Sequence, residues 1–270
     1  FNAILREGIV PQEIYTGLLT GEAAHNHKEL AAVLKAMLDV YVTNVAGELS
    51  PQWKVAFESV LDSYLGEKVT SFEYEGETYT PAEFLSYNKI VPTDYVSLTS
   101  FSHEVFNAPF ILNVPDNFSN GSFYNLPLDE FMASLDYALE NGYTVAFDCD
   151  MSEKAFNSQY GVAVLPLDPS NVELCLTEPV AEVNATQAYR QQEFENYNTT
   201  DDHLMHITGM LKDQSGTTYY RVKNSWGSTG DRVTHGGYIY MSETYMRMKA
   251  ISITLHKNGL SKSTKKQLSL

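Results

Sequence analysis

The sequence contains only two cysteines, Cys149 and Cys175, among 270 residues. Two thiols form at most one disulfide, so no disulfide framework holds this fold together. Long hydrophobic runs are also missing, because the longest apolar stretches, residues 143–147 and 162–167, fall far short of the roughly 20 residues that a membrane helix needs. These absences exclude a disulfide-rich scaffold and argue against a segment that spans a membrane.

Positive charge is scarce as well. Eighteen basic side chains face thirty-four acidic ones, which gives a formal charge of -16. Such a surface repels phosphate backbones, so nucleic acid is not expected as a partner. Hydrophobic residues make up 43% of the chain, enough to bury a large core, and the length allows one large domain or two smaller ones.

The hydrophobic pattern changes along the chain from helical to strand-like spacing. Helices are predicted over 22–45, 49–68, 80–88, 126–142 and 186–198, and strands over 69–79, 94–102, 109–115, 143–150, 203–210, 217–222, 237–241 and 250–256. Because the helices come mostly first and the strands mostly last, the pattern favours an α+β fold over repeated βαβ units.

Two groups of polar residues have the side-chain types of binding sites, but their positions in predicted helices do not favour this interpretation. His25 and His27 lie two positions apart in a predicted helix, where their rings diverge, and no other ligand completes a set nearby. We therefore expect no metal. Glu193 and Glu195 lie on one predicted helix, where a solvated face is the default interpretation rather than an acid and base pair.

The segment "TTDDHLMHITGMLKDQSGTTYYRVKNSWG", residues 199–227, carries residue types that suit thiol catalysis. A thiol protease needs an imidazole that takes the thiol proton and a polar side chain that orients this imidazole. His203 and Asn224 lie on neighbouring predicted strands and can meet at one end of a sheet, where Trp226 would cover their hydrogen bond. The alternative is a solvated polar turn at His203 and an ordinary strand-end turn with a core tryptophan.

Three ordered blocks, "DDHLMHITG", "YYRVKNSWG" and "HGGYIYMS", resemble the histidine and asparagine regions of papain-like cysteine peptidases. The segments "REGIVPQEIY", "YTPAEFLSYN" and "TQAYRQQEFENYNTTDDH" are similar to the bleomycin hydrolase and aminopeptidase C branch. The resemblance implies that His203 is the catalytic base, that Asn224 orients it and that Asp202 lines the cleft. His206, three residues further along a strand, should point to the opposite face.

The resemblance also implies a fold, a papain-like α+β architecture with a helical part and an antiparallel β-barrel part. Residues 1–21 would end the helical part, 22–125 would form a helical and β insertion, and 126–270 would form the β-barrel half, with a C-terminal tail at 256–270. The tail, which ends "KSTKKQLSL", departs from the family's usual ending, so strict aminopeptidase action is in doubt and endopeptidase or dipeptidyl action stays open. A flexible tail and a docked one are both open.

Neither cysteine has the setting of a nucleophile. Papain-like enzymes place theirs at a helix N-terminus, where the dipole and the imidazolium favour the thiolate. Cys149 lies at a strand end between Asp148 and Asp150, whose charges raise a thiol pKa, and Cys175 lies in a strand-like segment near other acids. We expect both to be small buried residues. The resemblance places the nucleophile upstream of "REGIVP", on a preceding segment or a separate chain of the same precursor.

The resulting hypothesis is a cysteine peptidase that hydrolyses peptide bonds through a thioester and needs no cofactor, although these residues alone would be inactive. The family likeness implies a homohexamer and a cytoplasmic location, with a periplasmic or secreted location left open. One alternative is a scaffold or binding protein that has the fold without the nucleophile. Another, a transglutaminase-like acyl transferase, is weaker because those enzymes usually orient the histidine with Asp.

Overall fold

The computed structural model describes residues 2–18, 25–43, 47–230 and 233–270. The chain divides into two compact units, Phe1–Pro92 and Thr93–Leu270. No helix among the described residues is long and apolar enough to cross a membrane. The division into residues 1–21, 22–125 and 126–270 that the sequence suggests stays a prediction.

The described residues of the first unit form four α-helices and one hairpin. Its elements are α1 (Asn2–Glu7), α2 (His27–Thr43), α3 (Gln52–Leu65), β1 (Phe72–Tyr74), β2 (Glu77–Tyr79) and α4 (Pro81–Tyr87). The Tyr64 hydroxyl near the end of α3 donates to Glu29 in the first turn of α2, so the two helices run antiparallel, as the sequence predicts. Residues 22–24, 44 and 45 of the predicted first helix lie outside the described residues.

The sequence analysis predicts that the rings of His25 and His27 diverge, but they do not. Helix α2 begins at His27, so His25 precedes the helix and is free of its geometry. The two rings stack with centroids 4.9 Å apart.

Within its described residues, the second unit contains ten strands and four α-helices. The strands are β3 (Tyr95–Thr99), β4 (Ala108–Ile111), β5 (Ser122–Asn125), β6 (Val145–Cys149), β7 (Phe156–Asn157), β8 (Val162–Ala163), β9 (His203–Lys212), β10 (Thr218–Lys223), β11 (Tyr238–Ser242) and β12 (Ala250–His256). The helices are α5 (Leu128–Glu140), α6 (Gln187–Glu195), α7 (Glu243–Lys249) and α8 (Lys262–Leu268).

These ten strands form one sheet in the order β4-β5-β3-β12-β6-β9-β10-β11-β8-β7. Most neighbours are antiparallel, and the pairs β3–β5 and β8–β11 are parallel. The sheet is therefore not built from βαβ units, which agrees with the predicted α+β class.

The core of the second unit lies between helix α5 and the middle of the sheet. Phe131 and Leu135 lie four positions apart on one face of α5 and are fully buried. They belong to one cluster with Phe147 of β6, Ile207 of β9 and Tyr220 of β10. Burying each of these side chains stabilises the fold by roughly 1.5–3 kcal/mol, and the cluster fixes the strands that carry the candidate site.

Several short elements differ from the sequence analysis, which also predicts no strand at β5, β7 or β8. Helix α7 was not predicted, since its seven residues are too few for a clear helical period. Cys175 lies in a 3₁₀ turn, Leu174–Leu176, rather than in a strand. The basic tail forms helix α8, and Leu260, just before the helix, and Leu268, within it, are buried in the core of the second unit.

Candidate active site

His203 and Asn224 meet at one end of the sheet. His203 is the first residue of β9, and Asn224 directly follows the last residue of β10. The two strands pair antiparallel through a short turn, with a register shift between Arg221 and Val222. Nε2 of His203 lies 2.9 Å from Oδ1 of Asn224, so the structure brings together the two residues that the sequence analysis pairs.

The contacts of the Asn224 side chain define the proton positions on the histidine. Oδ1 of Asn224 also accepts the backbone N–H of Ser225 at 2.7 Å, and a backbone N–H can only donate, so this atom is the amide oxygen. An amide oxygen can only accept, so Nε2 of His203 carries the proton. Nδ1 of the neutral ring then has a free lone pair, and it makes no hydrogen bond within the described part of the chain. The ring is thus prepared to take a proton at Nδ1.

The backbone around Asn224 is held by a close glycine contact. Asn224 is 5% exposed, and its N–H donates to the carbonyl of Gly237 at 3.0 Å. Gly237 has φ +83°, and a Cβ there would lie 2.1 Å from the carbonyl oxygen of Gly227. Only glycine fits both the positive φ and this approach. The "HGGY" block therefore supports the turn that presents Asn224.

Trp226 packs beside the histidine ring. The two ring centroids lie 5.3 Å apart at an interplanar angle of 40°, and Phe156 contacts the indole from another side in a T-shaped arrangement. The indole is 43% exposed, so part of it faces outward.

The carboxylate of Asp202 accepts hydrogen bonds from two segments of the chain. Oδ1 accepts the backbone N–H of Met151 at 3.0 Å, and Oδ2 accepts the Thr200 hydroxyl at 3.4 Å. Burial raises the pKa of Asp202 although the Met151 hydrogen bond opposes this shift. Asp202 thus joins the segment before β9 to the end of β6.

A buried ion pair, which the sequence analysis missed, holds the same segment. Nζ of Lys249 donates to Asp150 at 3.3 Å and to the carbonyl of Asn198 at 2.7 Å, and forms an ion pair with Glu153 at 2.6 Å. Asp150 in turn accepts the backbone N–H of Thr200 at 3.0 Å. Both charges are almost completely buried. The pair therefore fixes the backbone that leads into His203.

The other histidine of the motif lies away from this site. His206 pairs with Ala146 of β6 and is exposed, whereas Met205 and Ile207 on the alternate face are buried in the core. His203 shares the face of Met205 and Ile207, so the two histidines point to opposite faces, as predicted.

Both cysteines are free and buried, as the sequence analysis expects. Cys149 is the cross-strand partner of His203, but its thiol is 1% exposed. Burial, reinforced by Asp148, Asp202 and Asp150, raises the pKa of Cys149 well above its usual value. Burial also raises the pKa of Cys175. Neither thiol is at a helix N-terminus, and both favour the unreactive neutral form.

Comparison with known proteins gives both a family match and relatives. Residues 64–269 match a family model described as "Peptidase C1-like family". The chain is 25% identical over 214 residues to Aminopeptidase C of Listeria innocua serovar 6a and 24% identical over 216 residues to Aminopeptidase C of Listeria monocytogenes serovar 1/2a. Each alignment covers 73% of this chain and 46% of the relative. The chain thus spans about half the length of the curated relatives it matches.

A solved structure covers nearly the whole chain. The structure of PepW from Lactobacillus rhamnosis HN001 superposes with a TM-score of 0.71 at 19% sequence identity, over 99% of this chain and 63% of that one. At this identity the likeness concerns the fold.

Proposed function

Since the chain belongs to the Peptidase C1-like family and has the papain-like α+β fold, we propose that it forms the part of a thiol peptidase that carries the catalytic base. The observation that carries this proposal is the hydrogen bond from Nε2 of His203 to an amide oxygen of Asn224, whose orientation Ser225 fixes. In this role Asn224 orients the ring, and the indole of Trp226 limits access of water to their hydrogen bond.

The proposed reaction is peptide-bond hydrolysis in two steps. A cysteine thiol gives its proton to Nδ1 of His203, and its sulfur attacks the scissile carbonyl carbon to form a tetrahedral intermediate. The C–N bond then breaks, the leaving amine takes the proton from Nδ1, and a thioester remains. His203 then removes a proton from a water molecule, whose oxygen attacks the thioester carbon. The C–S bond breaks, the carboxylic acid leaves, and the sulfur takes the proton from His203, which restores the thiol.

The proposed nucleophile belongs to a segment or chain other than these 270 residues. The support is the condition of Cys149 and Cys175, since both are buried and have raised pKa values. A thiol that reacts at neutral pH needs solvent access and a lowered pKa. His203 offers its free Nδ1 to such a thiol.

Peptides are the proposed substrate class. The relatives bear the name Aminopeptidase C, which supports cleavage at the free amino end of a peptide.

The ring-shaped homohexamer that the family likeness implies is part of the same proposal. Native mass measurement of the complete protein tests that assembly, and a monomer would contradict it.

The test uses the complete protein with His203→Ala, Asn224→Ala and, as a control, His206→Ala, whose side chain is exposed on the opposite face. Hydrolysis of a peptide with a free amino end should fall roughly 10²–10⁴-fold in His203→Ala, less in Asn224→Ala and hardly at all in His206→Ala. An acetylated copy of the peptide distinguishes cleavage at the amino end from internal cleavage.

Labelling with an epoxide that inactivates papain-like thiols, followed by denaturing mass spectrometry, locates the nucleophile. The adduct should lie outside the 270 residues, with Cys149 and Cys175 unmodified. Full activity in His203→Ala, or an adduct on Cys149 or Cys175, would contradict the proposal. No hydrolysis and no adduct in the complete protein would instead support a non-catalytic protein with the same fold.

A further inference from the structure

Three aspartates from separate parts of the second unit come together beside the segment that leads into His203. Asp116 lies in the 3₁₀ turn Pro115–Asn117, Asp148 lies in β6, and Asp201 lies two residues before β9. Each places a carboxylate oxygen within 4.8 Å of the oxygens of the other two. The backbone N–H of Asp116 donates to Oδ2 of Asp201 at 2.7 Å. The three carboxylates therefore form one group that is not local in the sequence.

Two oxygens of this group are buried with no N–H or hydroxyl donor. Asp148 is 5% exposed, and no such group among the described residues donates to its Oδ1 or to Oδ1 of Asp201. The two carboxyl groups can hydrogen-bond only to each other, and only if one of them keeps its proton. The ion pairs of the described residues likewise include none to Asp116, Asp148 or Asp201. Buried carboxylates close to one another carry a large electrostatic cost unless a positive charge neutralises them. The arrangement thus requires a cation or a retained proton.

A further buried polar atom belongs to the residue two positions before Asp201. Thr199 is 2% exposed, and its hydroxyl has no partner among the described residues. Thr199 and Asp201 both line a cavity of about 480 Å³, together with Pro115, the neighbour of Asp116. The cavity provides a route for water and ions and room for water ligands.

We propose that Asp116, Asp148 and Asp201 bind one calcium ion. The donors are all oxygens, which hard divalent cations prefer. Calcium binds oxygens at about 2.3–2.6 Å, so two ligands on opposite sides of one ion are at most about 5 Å apart. The separations of the three carboxylate oxygens, all within 4.8 Å, meet that limit without rearrangement. Carbonyl groups and water complete the six to eight ligands that calcium usually takes.

A bound calcium ion would tie Asp201 to β6, two residues before His203. The proposal departs from the expectation of no metal, because residues 116, 148 and 201 give no spacing signal in the sequence.

The test is calcium titration of the whole chain at neutral pH after treatment with a chelator, by calorimetry and by thermal unfolding. We expect one calcium ion per chain and a rise of several degrees in Tm. Asp148→Asn and Asp201→Asn should each weaken binding roughly tenfold or more, because affinity depends on the number of charged ligands. Glu178→Gln, which removes an exposed charge elsewhere in the same unit, should bind as the original chain does.

Several outcomes would overturn the proposal. No heat and no shift in Tm at millimolar calcium would show that Asp148 and Asp201 share a proton instead. Unchanged binding in Asp148→Asn would place the ion elsewhere, and binding of magnesium or manganese in preference to calcium would refute the calcium assignment. The Asn variants remove a buried like charge, so they are expected to fold. None of these measurements depends on peptidase activity, so the proposed function and the calcium site are tested independently.

Discussion

Nε2 of His203 lies 2.9 Å from Oδ1 of Asn224, and the two residues are 21 positions apart in the chain. The strands β9 and β10 bring them together, and the Ser225 N–H fixes the amide so that its oxygen faces the ring. The geometry thus defines which nitrogen of the histidine carries the proton.

The first prediction concerns that tautomer. Neutral His203 should carry its proton on Nε2, and nitrogen-15 NMR of the 270-residue chain in mildly alkaline solution measures this directly. Asn224→Ala removes the acceptor and should move the population toward a mixture of tautomers. The exposed ring of His206 serves as an internal control that Asn224→Ala leaves unchanged. A proton on Nδ1 of His203 in the original chain would contradict the prediction.

The second prediction concerns the buried ion pair of Lys249 and Asp150. Lys249→Met leaves Asp150 buried and unpaired, so the free energy of unfolding should fall by roughly 3–5 kcal/mol. The matched control is Lys257→Met, which removes a lysine paired with the partly exposed Asp94 and should cost far less, because solvent screens an exposed ion pair. Urea denaturation measures both variants.

Hydrogen exchange shows whether the same pair holds the segment before His203. The backbone amide of Thr200 donates to Asp150. Its hydrogen-exchange rate should rise in Lys249→Met and stay the same in Lys257→Met. The double variant Lys249→Met with Asp150→Asn should cost less than the sum of the two single variants, because it leaves no fully buried unpaired charge. Equal costs for Lys249→Met and Lys257→Met would show that the buried pair has no special role.

The sequence could predict the His203–Asn224 pair but not the residues that support it. Both site residues lie at the ends of strands with clear patterns, and the ends of neighbouring antiparallel strands meet. Lys249 and Asp150 are 99 positions apart, and lysine is rarely buried, so no pattern indicates their contact. Helix α7, which ends at Lys249, is too short for a periodic signal. Seven of the ten strands in the described part of the second unit follow from local pattern, whereas the short strands β5, β7 and β8 do not. The order of the strands in the sheet depends on contacts distant in the sequence.

The third prediction concerns the pH dependence of stability. Burial raises the pKa of Glu182 above its usual value of 4.5, although the Leu165 N–H and the Ser242 hydroxyl donate to it. The folded chain therefore holds this proton to higher pH than the unfolded chain does. This contribution to stability is complete below the usual pKa and is lost as the pH rises through the folded value.

Glu182→Gln removes this pH-dependent loss. Relative to the original chain, the variant should gain stability between pH 4.5 and neutral pH, by at most about 1.4 kcal/mol per pH unit. Glu178→Gln, which removes one exposed carboxylate, controls for the loss of one negative charge. Urea denaturation at several pH values measures the difference, and a difference that does not vary with pH would refute the assignment.

The last prediction uses two adjacent glycines with similar backbones and different surroundings. Gly236 has φ +66°, and a Cβ there would meet nothing within 4 Å, whereas a Cβ on Gly237, at φ +83°, would lie 2.1 Å from the Gly227 carbonyl oxygen. Gly236→Ala therefore lowers the free energy of unfolding only because alanine must adopt a left-handed backbone conformation, which costs about 1–2 kcal/mol. Gly237→Ala adds the clash with a backbone atom that cannot rotate away, which costs roughly 1–3 kcal/mol more.

The clash also reaches the site, because the Gly237 carbonyl accepts the N–H of Asn224. Gly237→Ala should therefore lower the urea midpoint more than Gly236→Ala does and should also weaken the preference of His203 for the Nε2 proton. Gly236→Ala lowers stability without that second effect, since no contact joins its added methyl group to the turn. Equal losses of stability in the two variants would mean that the backbone relaxes around Gly227. An unchanged tautomer in Gly237→Ala would mean that Asn224 is held by Ser225 and His203 alone.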